Sequence, residues 1–394
     1  MNCWPTKPLG EFCRTGSGGT PSRSKPEYYD AGTVPWVKSG ELRDSIILDT
    51  AEKISEVATR ETNARPVPKN AVLVAMYGAT VGKTAILGIE ATTNQAVCHI
   101  IPNDQTANFR FVWYAVRSCL DQLLSKRVGG AQPNISQGII RDTIIPVPPL
   151  TEQERIVTLL DEADELRKLR AQADHRTAAL VPSLFQEMFG DPFTSPKGCS
   201  VVRIDEAGRV QLGRQRAPKY QTGKFTRPYV RVANVYEDEI DVSDLLSMDF
   251  DKRDFAQYRL EHGDILLNEG QSTELVGRPA MWRNEITDCC FQNTLVRFQP
   301  ERKRVLPDFA LAVFLAYFRE GNFAKISSKT SNVAHLGAAR FSKMPFPLPP
   351  LPQQNEFAAR VSETRAVRAE QSASRRRLDD LFQSMLHRAF RGEL

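Results

Sequence analysis

The chain has 394 residues, of which 41% are hydrophobic and 25% are charged, a composition typical of a globular protein with two or three domains. No apolar run is long enough for a transmembrane helix, and residues 1–10 lack the basic and apolar segments of a secretory signal, so we expect a cytoplasmic protein with no membrane partner. The seven cysteines show no metal-ligand spacing, and the net charge of +5 allows a nucleic-acid partner without identifying one.

Short β-like runs separated by Gly, Pro and Asn fill the chain up to about residue 150. They are found at residues 33–39, 71–77, 84–89 and 97–102, and a helical pattern follows at 109–124. This part therefore predicts a mixed α/β globule.

A long amphipathic helix is predicted to follow Pro148 and Pro149, with Thr151 as its N-cap. Its apolar stripe is narrow, which is typical of a helix that packs against one other helix. Pro182 should break or kink this helix, because proline lacks the donor for an intrahelical bond and clashes with the preceding turn. A short second helix would then run to Gly190.

The rest of the chain repeats this plan. Residues 229–231 align with 36–38, residues 262–270 with 70–78, residues 276–278 with 81–83, and residues 292–293 with 94–95. A second long helix follows, and Gln383 stands where the first copy has Pro182, so this helix should be straighter.

The two long helices repeat without a gap. The segment PVPPLTEQERI (146–156) matches PLPPLPQQNEF (347–357) at an offset of 201 residues, and the same offset relates Phe189 to Phe390. Two such helices would expose their apolar stripes unless they packed on each other, and a pseudo-two-fold axis would make the pairing antiparallel. The residues expected in this packing are Ile156, Leu160, Ala163, Leu166, Phe357, Val361, Val367 and Leu381.

The glycine-rich segment at residues 78–84 is similar to a phosphate-binding loop. Only three residues separate Gly78 from Gly82, however, and a strand-like run follows instead of a helix. The chain also lacks an adenine-methyltransferase tetrad and a paired acidic nuclease motif, and its five histidines are scattered. We therefore expect no catalysis and no metal site in this chain.

Polar and basic residues recur at corresponding positions of the two globules, where side-chain amides could read adenine and cations could bind phosphates. For any single residue, ordinary turn chemistry is the competing interpretation. The candidate DNA contacts are Thr20, Ser22, Arg23, Trp36, Lys38, Tyr77, Lys83, Asn94, Gln95, Gln132, Asn134, Tyr229, Arg231, Asn234, Asn268, Arg278, Gln292, Asn293, Ser331 and Asn332.

Several strings closely resemble those of type I restriction–modification specificity subunits. They are GGTPSRSKPEYY (18–29), PWVKSGEL (35–42), AMYGATVGKTAILGIEATTNQA (75–96), GGAQPNISQGII (129–140), IPVPPLTEQERI (145–156) and HRAFRGEL (387–394). The resemblance extends over essentially the whole chain.

This resemblance implies an α+β architecture in which two globular α/β target-recognition domains, at residues 1–150 and 190–350, each read one half of a split, asymmetric DNA target. The helical regions at 151–189 and 351–394 would form an antiparallel coiled coil that fixes the unread spacer. It also implies two methyltransferase subunits and restriction/translocase subunits as partners, with S-adenosylmethionine, ATP and Mg²⁺ bound by those partners and no cofactor in this chain.

The sequence therefore predicts the non-catalytic DNA-specificity subunit of a type I restriction–modification complex. Two alternatives stay open at this point. One is a stand-alone nuclease or nucleotide hydrolase that uses the loop at 78–84, and the other is a coiled-coil assembly adaptor that does not read sequence.

Overall fold

The computed structural model describes residues 4–125, 134–197, 199–330 and 333–394. Its contacts divide the chain into two compact units, which we call unit 1 (residues 1–171 and 373–394) and unit 2 (residues 172–372). Each unit contains a mixed α/β globule and one part of each long helix. The predicted fold class, two α/β globules combined with two long helices, is confirmed.

A five-stranded mixed sheet forms the centre of unit 1. Its strands run in the order Cys13–Ser17, Val97–Pro102, Val72–Ala75, Thr84–Leu87 and Ser45–Ile47; the last pairing is parallel and the others are antiparallel. A three-stranded sheet beside it has the order Lys53–Ile54, Val34–Val37 and Thr92–Thr93, and Thr6–Pro8 pairs with Ile144–Pro146. The strands predicted in this half are confirmed to within two residues at their ends.

The other helices of unit 1 are short. They span Leu9–Phe12, Glu56–Glu61, Phe109–Ser118, Leu120–Ser125 and Gln137–Arg141. Asn108 caps the third of these, because its side-chain oxygen accepts hydrogen bonds from the backbone N–H groups of Arg110 and Phe111. That helix buries its apolar residues in the same core as Val72, Val74 and Ile100 of the sheet.

Unit 2 repeats this plan around a four-stranded sheet in the order Gly208–Leu212, Leu295–Pro300, Ile265–Asn268 and Pro279–Met281. A three-stranded sheet has the order Leu246–Asp249, Thr226–Val230 and Cys290–Phe291. A second three-stranded sheet has the order Gly270–Gln271, Val333–His335 and Ser328–Thr330. Paired strands join Ser200–Arg203 to Pro345–Leu348, Val235–Tyr236 to Glu239–Ile240, and Gly190–Asp191 to Ser195–Pro196. The helices span Leu180–Phe189, Ile204–Ala207, Lys252–Tyr258, Pro307–Arg319, Asn322–Ile326 and Ala338–Phe341.

Equivalent backbone hydrogen bonds fix the alignment of the two globules. In unit 1, Ala75 N donates to Lys83 O at 2.8 Å and Gly82 N donates to Ala75 O at 2.9 Å. In unit 2, Asn268 N donates to Arg278 O at 3.2 Å and Gly277 N donates to Asn268 O at 2.8 Å. Asn268 therefore corresponds to Ala75, and the predicted alignment of 262–270 with 70–78, which paired it with Met76, was wrong by one residue. In a strand such a slip exchanges the two faces.

The first long helix spans Leu150–Ala178, and a separate helix follows at Leu180–Phe189. The interruption lies one turn before Pro182. Proline has no backbone N–H to donate to the carbonyl four residues earlier, and its ring would clash with that carbonyl. The predicted break is therefore confirmed. The second long helix runs without interruption over Leu351–Ala389. The first helix begins at Leu150, so Thr151 lies inside the first turn, and the prediction that it is the N-cap was wrong.

Within each unit the helical segments pair antiparallel. In unit 1, Arg155 donates to Leu394 O at 2.8 Å and Arg167 Nε donates to Asp379 at 2.7 Å. In unit 2, Gln371 donates to Thr177 at 3.0 Å, and the rings of Phe185 and Phe357 lie 5.7 Å apart. Residue numbers rise along one segment as they fall along its partner, which agrees with the predicted antiparallel arrangement.

The packed stripe differs in part from the predicted one. Ile156, Leu160, Ala163, Phe357 and Val361 are buried in the cores of their units. The predicted packing residues Leu166, Val367 and Leu381 are instead 51%, 47% and 48% exposed. In unit 1 the stripe of the second long helix is carried by Phe382, Leu386 and Ala389.

A buried glutamine attaches each long helix to its globule. Gln153 is fully buried; its amide donates to Pro148 O at 2.8 Å and to Thr106 O at 3.0 Å, and it accepts from Asn108 N at 2.9 Å.

Gln354, which lies 201 residues later, repeats this pattern in unit 2. Its amide donates to Pro349 O and Arg304 O, both at 2.8 Å, and it accepts from Leu306 N at 2.8 Å. We call these two side chains the glutamine clamps. Each forms hydrogen bonds with backbone groups at the start of the helix and in a loop of the globule. Without the glutamine, these buried backbone groups would lack hydrogen-bond partners.

We predict that Q153A destabilises unit 1 by about 2–3 kcal/mol, because it leaves the N–H of Asn108 and two carbonyls without hydrogen-bond partners in the interior. Urea unfolding followed by circular dichroism measures the loss. Q172A, which changes an exposed glutamine on the same helix, is the matched control and should unfold at the wild-type urea concentration. Equal midpoints for Q153A and Q172A would contradict the role of the clamp.

Candidate nucleic-acid interface

In unit 1 most of the candidate residues lie at one edge of the sheets, where several strands end. Backbone hydrogen bonds join the loops there: Gly19 N to Thr93 O at 3.0 Å, Asn94 N to Val37 O at 2.9 Å, and Ile135 N to Met76 O at 2.7 Å. We call this surface edge 1; it comprises the loops at residues 18–24, 38–41, 76–83, 93–96 and 134–136. Loops held on strand ends by backbone bonds can vary in side chain without loss of the scaffold.

Unit 2 has an equivalent surface built from the corresponding loops. Arg214 N donates to Phe291 O at 3.1 Å, Gln292 N to Val230 O at 2.9 Å, and Leu336 N to Glu269 O at 2.8 Å. We call this surface edge 2; it comprises the loops at residues 213–217, 231–234, 269–278, 292–294 and 335–337.

A charged cluster lies at edge 1. Arg23 donates through both Nη atoms to the two carboxylate oxygens of Glu52, with Nη2 at 2.8 Å from Oε2, and Lys38 Nζ donates to Oε2 at 3.0 Å. The hydrogen bond from Arg23, with a further one from Lys38, lowers the pKa of the Glu52 carboxyl to about 2, against the effect of partial burial. Glu52 thus stays ionised and holds two cations side by side.

Aromatic rings support this cluster. The Arg23 guanidinium lies over the ring of Tyr29, 4.1 Å from the centroid, and 5.7 Å from the centroid of Trp36. Trp36 is only 2% exposed, and its Nε1 donates to Gly19 O at 3.1 Å. Trp36 therefore orders the loop from below and has no surface of its own to offer a duplex.

Two further candidates of edge 1 are coupled to each other. The hydroxyl of Thr20 donates to Oε1 of Gln95, and both side chains are exposed. Asn94 uses its side-chain oxygen locally, accepting from Ala96 N at 3.2 Å. Ser22 is exposed and bonded to Ser24 at 2.8 Å.

The glycine-rich segment at 78–84 is a turn between two antiparallel strands. Gly78 and Gly82 have φ of +83° and +85°, conformations that L side chains rarely adopt, and the strand Thr84–Leu87 follows directly. Lys83 is exposed and lies 3.4 Å from Asp44. A strand, and not a helix, follows the turn, so the segment lacks the loop-to-helix geometry of a phosphate-binding loop.

Tyr77 and Asn134 form an isolated backbone bridge at edge 1, and the Asn134 side chain is exposed. Burial raises the pKa of the Tyr77 hydroxyl, which therefore stays neutral. Gln132, Ser331 and Asn332, the other candidates from these loop regions, lie outside the described residues.

Edge 2 carries its own cation–carboxylate pair. Arg231 corresponds to Lys38, and its Nη2 donates to Asp244 at 2.7 Å. Arg278 lies over the ring of Tyr236, 5.0 Å from the centroid, and Gln292 contacts the hydroxyl of Thr294 at 3.5 Å. Asn293 is partly exposed and donates its backbone N–H to Arg214 O at 3.0 Å.

Three candidates of unit 2 are core residues. Tyr229 and Asn268 are completely buried, and Asn234 is 2% exposed. Asn234 closes a local turn, because its side chain accepts from Arg231 N and donates to the carbonyls of Asp241 and Asp244. These side chains position the edge 2 loops, and in this structure they present no surface to a ligand.

Sequence reasoning did not select the partners of these cations. Glu52 and Asp244 were absent from the candidates because an isolated acid in a loop carries no sequence signal for a DNA interface. The glutamine clamps were missed for a similar reason, although the recurrence of glutamine at the offset of 201 was a signal that could have identified them.

The described ranges, residues 4–125, 134–197, 199–330 and 333–394, contain no group of three or more His, Cys, Asp or Glu side chains placed to hold a metal ion. Across those same ranges, no helix combines the length and the apolar character needed to cross a membrane.

We predict that the contribution of Glu52 to stability depends on pH. Because its pKa is lower in the folded chain than its ordinary value of 4.5, the contribution is complete above pH 4.5 and is lost as the pH falls toward about 2. The difference in urea midpoint between wild type and E52Q should therefore shrink as the pH falls from about 4.5 toward about 2. A difference that stays constant over this range would contradict the proposed ionised cluster.

The family model of the type I restriction modification DNA specificity domain matches the chain twice, at residues 1–174 and 196–370. Both matches together cover most of the chain, and they reproduce the internal repeat.

Curated relatives carry the same description. The chain is 28% identical over 165 residues, 41% of each protein, to the EcoR124I/EcoR124II specificity subunit of Escherichia coli. It is 27% identical over 255 residues to the MjaIX specificity subunit of Methanocaldococcus jannaschii, covering 59% of this chain and 58% of that one. The match to the EcoBI specificity subunit of Escherichia coli is longer, 24% over 341 residues and 77% of this chain. The matched stretches thus span 41% and 58% of the first two relatives.

Solved structures share the fold. A chain from a structure concerning complex assembly and conformational transition of the type I R-M system superposes with a TM-score of 0.63 at 19% identity, covering 99% of this chain and 98% of that one. The S subunit of a type I restriction–modification system from M. genitalium gives a TM-score of 0.55 at 13% identity, with coverages of 98% and 96%.

Proposed function

The chain belongs to the family of type I restriction modification DNA specificity domains, and we propose that it selects the DNA sequence at which a type I restriction–modification complex acts. It is a recognition subunit and performs no chemistry itself. Partner subunits methylate adenine or cleave DNA at the sites that it selects.

One observation carries this proposal. Edge 1 and edge 2 are built from the same loops, joined by equivalent backbone hydrogen bonds, but they present different side chains. The loop that offers Lys38 at edge 1 offers Arg231 at edge 2, and the Asn94–Gln95 pair is replaced by Gln292–Asn293. Two similar scaffolds with different reading surfaces suit a target of two unlike half-sites, one read by each edge.

The chemistry of the exposed residues supports double-stranded DNA as the ligand. Lysine and arginine neutralise phosphates and set the register, whereas amides and guanidinium groups contact base edges in the major groove. Both kinds of group are present on each edge.

The remaining parts of the assembly are proposed on family grounds. The globules at 1–150 and 190–350 act as target-recognition domains, and the helical regions at 151–189 and 351–394 set the spacer and receive two methyltransferase subunits. Restriction/translocase subunits complete the enzyme in the cytoplasm. We expect S-adenosylmethionine, ATP and Mg²⁺ to be bound by those partners rather than by this chain.

We predict that deletion of this gene abolishes adenine methylation at one bipartite motif while other methylation is unchanged. Genome-wide methylation sequencing with and without the gene measures this, and complementation with the intact gene is the control. Loss of a continuous motif, or no change in a strain that expresses all partner subunits, would contradict the proposal.

Exchange of residues 1–150 for those of another family member should alter one half of that motif and leave the other half intact. The reason is that edge 1 lies entirely within the exchanged segment, whereas edge 2 lies outside it. A change in both halves would show that the two edges do not read independently.

A further inference from the structure

Arg23 has a setting that no other cation of the two edges shares. It is clamped through two parallel hydrogen bonds by Glu52 and stacked on Tyr29, yet its side chain is 60% exposed. We propose that Arg23 reads a guanine in the half-site bound by edge 1 and that Glu52 is its positioning residue. This inference rests on the proposed function.

The hydrogen-bond geometry leaves a second edge of the guanidinium open. The clamp uses one N–H of Nη1 and one of Nη2, out of five N–H donors. Among the described residues, the structure gives Arg23 no hydrogen bond other than those to Glu52. The Nε–H group and the neighbouring Nη–H therefore remain as a parallel pair of donors, and this is the group that bonds O6 and N7 of guanine.

The direction of these donors is fixed before DNA binds. Tyr29, whose ring supports the guanidinium, is itself held by a hydrogen bond from its hydroxyl to Pro21 O at 2.6 Å. A clamped and stacked arginine loses little side-chain freedom on binding, which favours a contact that depends on orientation.

The local charge favours a base over a phosphate. The Glu52 carboxylate offsets one of the two positive charges of Arg23 and Lys38, which weakens the attraction to a phosphate. The same carboxylate fixes the plane of the guanidinium, and a bidentate contact with a base depends on that fixed orientation. Lys38, a point charge on a flexible side chain, is the better phosphate contact of the pair.

The side-chain amide of Gln95 at edge 1 also favours a base edge that presents hydrogen-bond acceptors. The hydroxyl of Thr20 donates to Oε1 of Gln95, and among the described residues the structure gives Nε2 of this amide no acceptor, so Nε2 can donate to a base. Edge 1 thus offers donors at Arg23 and at Gln95. In the major groove guanine presents two acceptors, whereas adenine presents one acceptor with one donor and cytosine presents a donor.

Edge 2 does not repeat this arrangement. Glu52 O accepts from Trp36 N, and the corresponding strand position opposite Tyr229 is occupied by Leu246. Arg231 pairs instead with the exposed Asp244 through one nitrogen. Dependence on a clamped arginine is therefore expected in one half of the target only.

The test uses the assembled methyltransferase complex in a host without restriction activity, with methylation mapped genome-wide. R23A should relax the requirement for one guanine in one half-site by about tenfold or more, the discrimination that a bidentate contact provides. R23K keeps the charge but lacks the fork, so it should relax the same position. R60A is the matched control, because Arg60 pairs with Glu56 on an exposed helix surface and should leave the motif unchanged.

The positioning role of Glu52 has a separate readout. E52Q should lower the ratio of affinities for the guanine duplex and for a duplex substituted at that one position, while affinity for random DNA is unchanged or higher because a negative charge is lost. E52D should restore part of the ratio.

Two results would overturn the inference. One is an unchanged motif in both R23A and R23K, and the other is a uniform loss of affinity for all duplexes with a reduced salt slope, which identifies a phosphate contact. A wild-type complex that methylates no bipartite motif would contradict the proposed function itself. The wild-type sample of the same experiment therefore distinguishes failure of the proposed function from failure of the inference about Arg23.

Discussion

One buried amide fixes the first turn of each long helix on its globule, beside the apolar residues that the helix buries in the core of that globule. Gln153 and Gln354 each bond to the carbonyl just before the helix and to two backbone groups of a loop in the α/β globule. A hydrophobic contact at this place would allow the helix to rotate or slide, because apolar packing is not directional. Three hydrogen bonds from a planar amide fix both position and direction, so the angle at which the helix leaves the globule is determined at its first turn.

The two units share backbone hydrogen bonds and differ in their exposed side chains. Backbone hydrogen bonds such as Asn94 N to Val37 O and Gln292 N to Val230 O recur in both units and do not depend on side-chain identity. The exposed side chains on those loops are free to differ, because they contribute little to folding. A protein that must present two unlike surfaces in a common geometry can therefore change the side chains and keep the scaffold.

Much of this architecture could be predicted from the sequence. The strands of unit 1, the break before Pro182 and the repeat of the helices follow from local patterns, because periodicity and proline chemistry act over a few residues. The residues that line the two edges do not follow in this way. Trp36 and Tyr229 were selected as aromatic residues at strand ends, but whether such a ring faces a ligand or the core depends on tertiary packing. The stripe of the second long helix passes through Phe382 instead of Leu381 because contact with the globule of unit 1 overrides the simple heptad spacing.

Net charge alone would not have located the two edges. Arg23, Lys38, Lys83 and Arg231 all lie at the edges, and each is paired with a carboxylate. An interface that relied on attraction to phosphates would be expected to leave its cations unpaired, since every carboxylate nearby weakens the potential. Pairing instead limits non-specific binding and holds each cation in a defined direction. For the proposed task of distinguishing one DNA sequence among many, lower attraction to DNA in general and better orientation toward particular bases act together, because specificity is a difference between two affinities.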